Sequence, residues 1–485
     1  LKCLKPMMAL VVLAATLGAP ISVRGNPQES AEEVRRRIDA ALAEELARLR
    51  ESIADTVRLE LARAAGGVDG ALALVTEDLL RKHATYLASD ELEGRQAGYE
   101  GNAKASAYIA GIMKQAGLAP VGDKDEKGKP TYFQEFKIGK LVTRNCLGML
   151  EGSDPEKKKE ILVLGAHFDH LGTADNPGPP FQRSDRPRDD DKIWNGADDN
   201  GSGTTTLLGL VKAFGEGGLK PKRSILFIAF SGEEGGLLGS YHYVANPIVP
   251  IARHVFMLNL DMVGRNPDKA MKIEGVGSAE GMKLRRTVED AAAAAGLKAV
   301  VNDAVTIMGG DSDHTPFREK GVPFIFFFSG FHADYHKVTD HADKLAYGNM
   351  VKVAGTSARI LMGLADADET LAARKLEFGR AAPAAPRRTL GVGIEDLADE
   401  DRESLGLKEG EGGVRVTSVN PKSVAEASGI RKDDVLVRLD DQPLAAGSEF
   451  DSLRKVLNAV APGKDVPLVV IRDGKRTSLT ARWEK

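Results

Sequence analysis

Ile161-Leu162-Val163-Leu164-Gly165-Ala166-His167-Phe168-Asp169-His170 is the stretch on which the fold turns. An unbroken apolar run suits a strand buried on both faces of a sheet, and polar chemistry begins only where the run ends. The same pattern returns at Ile225–Phe230, Val255–Leu258 and Phe324–Phe328. Helical stretches such as Thr204–Phe214 and Met282–Ala295 lie between these runs. Strand and helix in alternation predict an α/β fold, with a mixed, mostly parallel sheet sandwiched by helices.

Upstream, Glu77–Ala88 and Ala103–Ala116 read as helices. From Gln28 to about Ala65 the chain is charged and Ala-rich, with Val34, Ile38, Leu42, Leu46, Leu49, Ile53, Val57 and Leu61 at steps of three and four. That spacing makes one stripe of an amphipathic helix, ended by Gly66-Gly67 and suited to docking on a domain or pairing with a copy of itself. Acidic residues are as common as basic ones on its polar face, which disfavours a membrane surface. Before it, Lys2 and Lys5 precede the apolar run Met7–Gly18 and then small residues and Pro20, the pattern of a secretory signal rather than a span. Downstream, Gly379–Arg388 is a linker by its prolines and small residues. Short β-type runs follow at Gly413–Val419, Val435–Leu439 and Val466–Ile471. The expected organisation is a signal peptide at 1–25, an amino-terminal helix at 26–72, a large α/β domain at 73–370, a linker at 371–387 and a small domain at 388–485.

A chain of 485 residues has room for two or three domains. Hydrophobic residues at 42% and charged residues at 28% describe a globular protein with a real core. The net charge of −4 offers no basic field for nucleic acid, so no nucleic-acid partner is expected. The two cysteines, Cys3 and Cys146, exclude a disulfide scaffold, because Cys3 lies in the segment expected to be removed. Beyond the first apolar run no window is long enough to span a bilayer, so no stable membrane span is expected after signal cleavage.

Charged residues cluster just after the buried runs. His167 and Asp169 end the first, and being two apart they share a face, so the carboxylate can orient the imidazole. Next come Asn195-Gly196-Ala197-Asp198-Asp199-Asn200-Gly201-Ser202-Gly203, Ser231-Gly232-Glu233-Glu234-Gly235, Asn259-Leu260-Asp261-Met262 and Asp334-Tyr335-His336-Lys337. In open α/β sheets the crevice beyond the carboxyl ends of the strands binds ligands. Acidic clusters converging there need cations. Imidazole with carboxylate suits zinc, whereas an all-oxygen set would point to magnesium or calcium. Taken singly, His-x-Asp, Glu-Glu and Asp-Asp are more often structural; their ordered recurrence after four buried strands is what points to a site.

In that order, with Ser312-Asp313-His314 preceding Tyr335-His336, these motifs resemble the two-zinc exopeptidases, the family-28 metallopeptidases that include bacterial leucyl-type aminopeptidases, glutamate carboxypeptidase and glutaminyl cyclase. Leu87-Ala88-Ser89-Asp90-Glu91-Leu92-Glu93-Gly94-Arg95 and Tyr132-Phe133-Gln134 are similar to the family's entry region, and the likeness covers roughly residues 75–365. The resemblance implies the zinc exopeptidase fold and two Zn2+ per chain. Asp198 would bridge both ions, His167 and Asp261 would complete one site, and Glu234 and His336 the other. Glu233 would be the general base, Asp169 would orient His167, and the Asp198–Asp199 peptide would be cis. Asp199, His314 and His170 are placed by the same motifs around the ligands or facing substrate, while His83, His242, His254, His332 and His341 read as structural or surface residues. Two departures stand out. Gly309 occupies the place where some members carry a tyrosine, and a Pro- and Asp-rich loop, Thr173–Lys192, precedes the Asp198 turn. That loop reads either as a rim or specificity element or as a surface insertion.

Leu390-Gly391-Val392-Gly393-Ile394, followed by Val414–Val419 and Ser423–Leu436, resembles a PDZ domain of the bacterial protease type. It implies a small β-sandwich or barrel-like fold, with the Gly-containing loop and adjoining edge strand taking a peptide carboxyl end or a protein partner, or else merely packing on the catalytic domain. The combined expectation is an exported peptidase acting on amino-terminal residues of peptide substrates. A one-zinc glutaminyl cyclase-like acyltransferase, a related carboxypeptidase or dipeptidase, and a non-catalytic peptide-binding scaffold are the alternatives.

Overall fold

The computed structural model describes residues 31–176, 183–279 except 186 and 189, 284–303, 305, 312–368 and, with gaps, 390–483. The expected signal peptide at 1–25, the linker at 371–387, Gly309 and part of the Thr173–Lys192 loop lie outside the described residues.

The chain divides into two units, Leu1–Ala64 and Ala65–Lys485. The first contains one long helix, Ala31–Ala65, laced by ion pairs such as Arg48–Glu44 and Arg58–Asp55 at three- and four-residue spacing. Leu42, Leu46, Ile53, Val57 and Leu61 form its exposed apolar stripe. The helix ends where the glycines predict. Residues Gly67–Leu72, expected to belong with it, make a separate short helix in the second unit.

The second unit opens with helices Glu77–Leu87, capped by Thr76 Oγ1 accepting the Leu79 N–H at 3.2 Å, and Glu100–Gln115. Its first eleven strands follow in chain order: β1 Ala119–Pro120, β2 Phe133–Ile138, β3 Leu141–Leu150, β4 Ile161–His167, β5 Gly172–Thr173, β6 Ile193–Trp194, β7 Ser224–Phe230, β8 His254–Leu260, β9 Met271–Glu274, β10 Ala299–Asn302 and β11 Phe324–Phe328. Nine of them form one sheet in the order β1-β3-β7-β4-β8-β11-β9-β10, with β2 on β3. The central strands β7, β4, β8 and β11 are mutually parallel, and they are the four apolar runs of the sequence. Antiparallel pairings of β3 with β7 and of β9 with β11 flank them.

Alternation along the central strands builds two cores. Leu162, Leu164, Phe227, Leu258 and Phe327 pack under helices Glu77–Leu87, Glu100–Gln115, Gly203–Gly215 and Tyr347–Asp366. Ile161, Val163, Ile228, Met257 and Phe326 face the other way, against Tyr243, Val244 and Phe317. Every residue of β4, β7, β8 and β11 is buried, as a sheet covered on both faces requires. The sandwich is therefore the one the apolar runs predict.

After it, β12 Val392–Asp396, β13 Val414–Val419, β14 Val435–Leu439, β15 Gln442–Pro443, β16 Asp465–Arg472 and β17 Lys475–Arg482 form a separate antiparallel sheet ordered β12-β13-β14-β16-β17, with β15 on β14. Its own core includes Leu390, Val416, Leu436, Leu468 and Trp483.

Candidate metal centre and its surroundings

The parallel strands run in one direction, so their carboxyl ends deliver polar residues to one edge. His167 is the last residue of β4, Glu233 and Glu234 follow β7, and Asp261 follows β8. Asp199 comes from the turn before helix Gly203–Gly215, and His336 from the segment after β11. That turn requires glycine at position 196: its φ is +56°, and a Cβ there would strike the His170 ring and the Asp199 carbonyl.

Asp199 stands at the middle. One carboxylate oxygen lies 3.4 Å from His167 Nε2 and the other 2.9 Å from His336 Nε2. Asp261 Oδ1 is 3.5 Å from His167 Nε2, and Glu233 Oε2 is 3.9 Å from it. Glu234 Oε2 is 3.5 Å from His336 Nε2, while its other oxygen meets His170 Nδ1 at 2.8 Å. His167, Glu233 and Asp261 form one group whose donor atoms lie within 4.8 Å of one another, and His170, Asp199 and Glu234 a second.

Two expectations are corrected by one residue. Asp198 does not lie between the histidines: Oδ1 accepts the Gly264 N–H at 2.7 Å and Oδ2 faces His332 Nε2 at 3.1 Å. The cis peptide is Asp199–Asn200, not Asp198–Asp199. Adjacent residues in this turn point to opposite sides, so an Asp-Asp pair leaves the choice open in sequence alone.

Asp169 faces His167, as expected, and holds the next strand end as well. Its carboxylate accepts the Glu233 N–H at 3.1 Å and the Glu234 N–H at 3.3 Å, and Oδ1 remains 3.7 Å from His167 Nδ1. The nearer partner of that ring nitrogen is the Asp169 main-chain carbonyl, at 3.3 Å. His314, placed by its motif near substrate, instead stacks between Phe324 and Phe326 with centroids 4.6 and 4.7 Å away. His332, read as structural or surface, is buried against Asp198.

Other contributors have no role assigned to them from sequence, although Ser312 and Arg95 lie within its motifs. Asp340, fully buried, accepts the N–H groups of Asp198 and Asp199 at 2.8 and 3.2 Å. Ser312 Oγ donates to Asp261 Oδ2 at 2.7 Å. Buried Arg95 donates to the carbonyls of Phe168, Asn195 and Gly196 at 2.7, 2.6 and 2.9 Å, and also to that of Leu87. It thereby ties the His167 strand end to the Asp199 turn.

The electrostatics follow from this crowding. Burial resists charge on His167, yet Asp261 and Glu233 hold its pKa well above the usual value. His336 rises likewise, burial being overcome by Glu234 and Asp199. Glu234 is equally resisted by burial but is drawn down to about 2, chiefly by His336. Glu233 moves up: burial is the main cause, His167 opposes it, and Glu234, Asp261 and Asp313 reinforce it. Of the pair, Glu234 is thus the carboxylate held charged and Glu233 the one with the greater affinity for a proton.

The residues present fit divalent zinc. The donors are imidazole nitrogen and carboxylate oxygen. Tetrahedral ligands held at ~2.1 Å stand about 3.4 Å apart. The separations of 3.4 Å between His167 and Asp199, 3.5 Å between His167 and Asp261, and 3.5 Å between His336 and Glu234 match that edge.

Comparison with known proteins follows the same residues. The Peptidase family M28 profile matches residues 145–361, which include every residue of both donor groups, and the PDZ domain profile matches 389–482. Aminopeptidase YwaD of Bacillus subtilis (strain 168) is 30% identical over 223 residues, 44% of this chain and 43% of that protein. Leupeptin-inactivating enzyme 1 of Streptomyces exfoliatus is 29% identical over 224 residues, 46% of this chain and 44% of that protein. The chain thus spans less than half the length of either relative. Among solved structures, an aminopeptidase from Aneurinibacillus sp. strain AM-1 aligns with a TM-score of 0.46 and 18% identity, over 62% of this chain and 97% of that one. Residues 145–361 are a domain of Peptidase family M28, and residues 389–482 are a PDZ domain.

Proposed function

We propose that this chain is an exported two-zinc exopeptidase that removes amino-terminal residues from peptides. The observation that carries the reading is Asp199 reaching both His167 and His336, with Glu233 beside it. His167, Asp261 and Asp199 would hold one ion, and His336, Glu234 and Asp199 the other, with His170 fixing the far oxygen of Glu234. Zinc, when bound, supplies a Lewis acid for the peptide carbonyl and favours ionisation of water near neutral pH.

The proton transfers fall to the protein. Glu233 Oε takes a proton from the attacking water as the oxygen bonds to the scissile carbonyl carbon. The same oxygen returns that proton to the nitrogen as the carbon–nitrogen bond breaks, leaving a free amino acid and a shortened peptide. Asp169 holds the Glu233 main chain in place for both transfers. Family membership of the domain supports hydrolysis. The name of the first relative above, an aminopeptidase, favours the amino end, whereas a glutaminyl cyclase-like transferase would need only one ion.

Export rests on the basic and apolar pattern of Lys2–Gly18. No helix among the described residues is long and apolar enough to cross a membrane. For the PDZ domain we propose peptide or partner recruitment at Leu390–Ile394. Gly391 has φ +75° there, and β12 ends the sheet order, so its outer edge is placed to accept an added strand.

The test uses Glu233→Gln with zinc content measured beside turnover, on peptides with free and blocked amino ends. Loss of about 10²–10⁴ in kcat with both ions retained is expected. Near-normal turnover would remove Glu233 as the base, one zinc per chain would favour the cyclase, and equal cleavage of blocked peptides would exclude an aminopeptidase.

A further inference from the structure

His336 has φ +58°, a left-handed conformation that non-glycine residues seldom adopt and that persists only where neighbours over-determine it. The neighbours that do so come from an unexpected place. Ser184 N–H donates to the His336 carbonyl at 2.9 Å. Two residues further on, the Val338 N–H meets both oxygens of Asp185 at 3.3 Å. Asp185 Oδ1 also accepts the Trp194 indole N–H at 3.0 Å.

The strap is itself anchored. Arg183 lies 4.2 Å over the Trp194 ring and donates to the Leu171 and Thr173 carbonyls, each at 2.7 Å. Leu171, Trp194 and Val338 close into a buried apolar cluster beneath it. Three consecutive residues, 183–185, therefore tie the β5–β6 pair to the segment that carries His336.

We propose that Asp185 is a positioning residue for His336, setting the backbone from which the imidazole reaches Asp199 and Glu234. The inference rests on the reading of His336 as a zinc ligand. It assigns the loop before the Asp199 turn a role in assembling one of the two metal sites, rather than only bordering the crevice. What matters is an acceptor at Oδ1, shared by Trp194 and Val338, so an amide oxygen can replace the carboxylate.

The experiment compares full-length wild type, D185N and D185A. Zinc affinity of each ion is measured by chelator competition, and Tm is measured on the metal-free proteins. D185A should weaken one of the two ions by about tenfold or more, leave the other in place, and be rescued by D185N. Equal weakening of both ions together with a fall in metal-free Tm would show a merely structural role and overturn the proposal, as would unchanged affinities in D185A. S184P, which removes the N–H that reaches His336 and also fixes the local backbone, carries the same expectation should D185A not fold. Wild type that binds no zinc would fail the ligand reading itself, separately from any effect of Asp185.

Discussion

Asp199 Oδ2 lies 2.9 Å from His336 Nε2, while the adjacent Asp198 sends its carboxylate to the Gly264 N–H, away from both metal-type groups. Two neighbouring acids therefore have unequal consequences. Asp199→Asn removes the charge shared by His167 and His336, and is expected to cut zinc content and to lower kcat/KM by roughly 100-fold or more. Asp198→Asn keeps an oxygen for Gly264 and should stay within about tenfold of wild type with both ions bound. Elemental analysis and steady-state kinetics on the pair decide it. Zinc lost from the Asp198 variant alone would return the bridging position to Asp198.

The Asp169 carboxylate spends one oxygen on the Glu233 N–H and the other on the Glu234 N–H. Asn offers one acceptor and turns an NH2 toward the second N–H, which loses one bond and opposes two donors. The loop carrying the base should shift, while the ligands on other segments, His167, Asp199, Asp261 and His336, remain. A fall in kcat of about 10–100-fold with little change in KM is expected for Asp169→Asn. Unaltered kcat would mean that the loop keeps its place without this carboxylate.

The parts of this arrangement that were legible in sequence share one cause. Residues fully buried on both sides of a parallel sheet must be apolar without interruption, so β4, β7, β8 and β11 announce themselves and fix where their ends lie. His167, Glu233, Glu234 and Asp261 follow directly from those ends. Sequence does not choose Asp199 over Asp198 because their turn has no regular periodicity: Asp199 has φ −101° and ψ 104°, and Asn200 φ −113° and ψ 47°, inside an otherwise helical turn. Which of two adjacent acids faces inward there depends on Asp340 accepting both N–H groups, a contact across 141 residues that no local pattern encodes. Arg95, Asp340 and Asp185 were invisible as functional groups for the same reason. They hold main-chain atoms of distant segments, and main-chain atoms carry no signature in the sequence.

Arg95 illustrates the cost of losing such a group. Burial lowers its pKa to about 10, with Asp169 and Asp199 among the charges that oppose the fall, so it remains protonated at neutral pH. Arg95→Met would strand the carbonyls of Leu87, Phe168, Asn195 and Gly196. Each unsatisfied buried acceptor costs ~1–3 kcal/mol, and partial relaxation should leave a net loss of about 3–5 kcal/mol. Arg95→Lys keeps the charge but not the planar fork, and should recover only part. Urea unfolding of the metal-free proteins checks both, and a loss under about 1 kcal/mol in the Met variant would contradict the clamp.

His83 supplies a pH dependence separate from the metal site. Its Nδ1 lies 2.7 Å from the Tyr108 hydroxyl, and burial, aided by Lys82 and Lys212, lowers its pKa from 6.5 to about 4. Tyr108 is itself pushed up to about 12 by burial, so its hydroxyl stays neutral beside the imidazole. The folded chain thus refuses a proton that the unfolded chain takes up below pH 6.5. The contribution to stability is complete above that pH, falls as pH drops, and levels off near pH 4. Its size is at most on the order of 3 kcal/mol. His254, lowered to about 4 by burial, adds a fall of the same sign. His83→Gln keeps an acceptor for Tyr108 without the titration, so the loss of unfolding free energy between pH 6.5 and pH 4 should shrink by up to about 3 kcal/mol. The comparison is made on both proteins stripped of metal, because acid also displaces zinc from its ligands. An acid limb of equal depth in the variant would show that His83 is not held neutral in the fold.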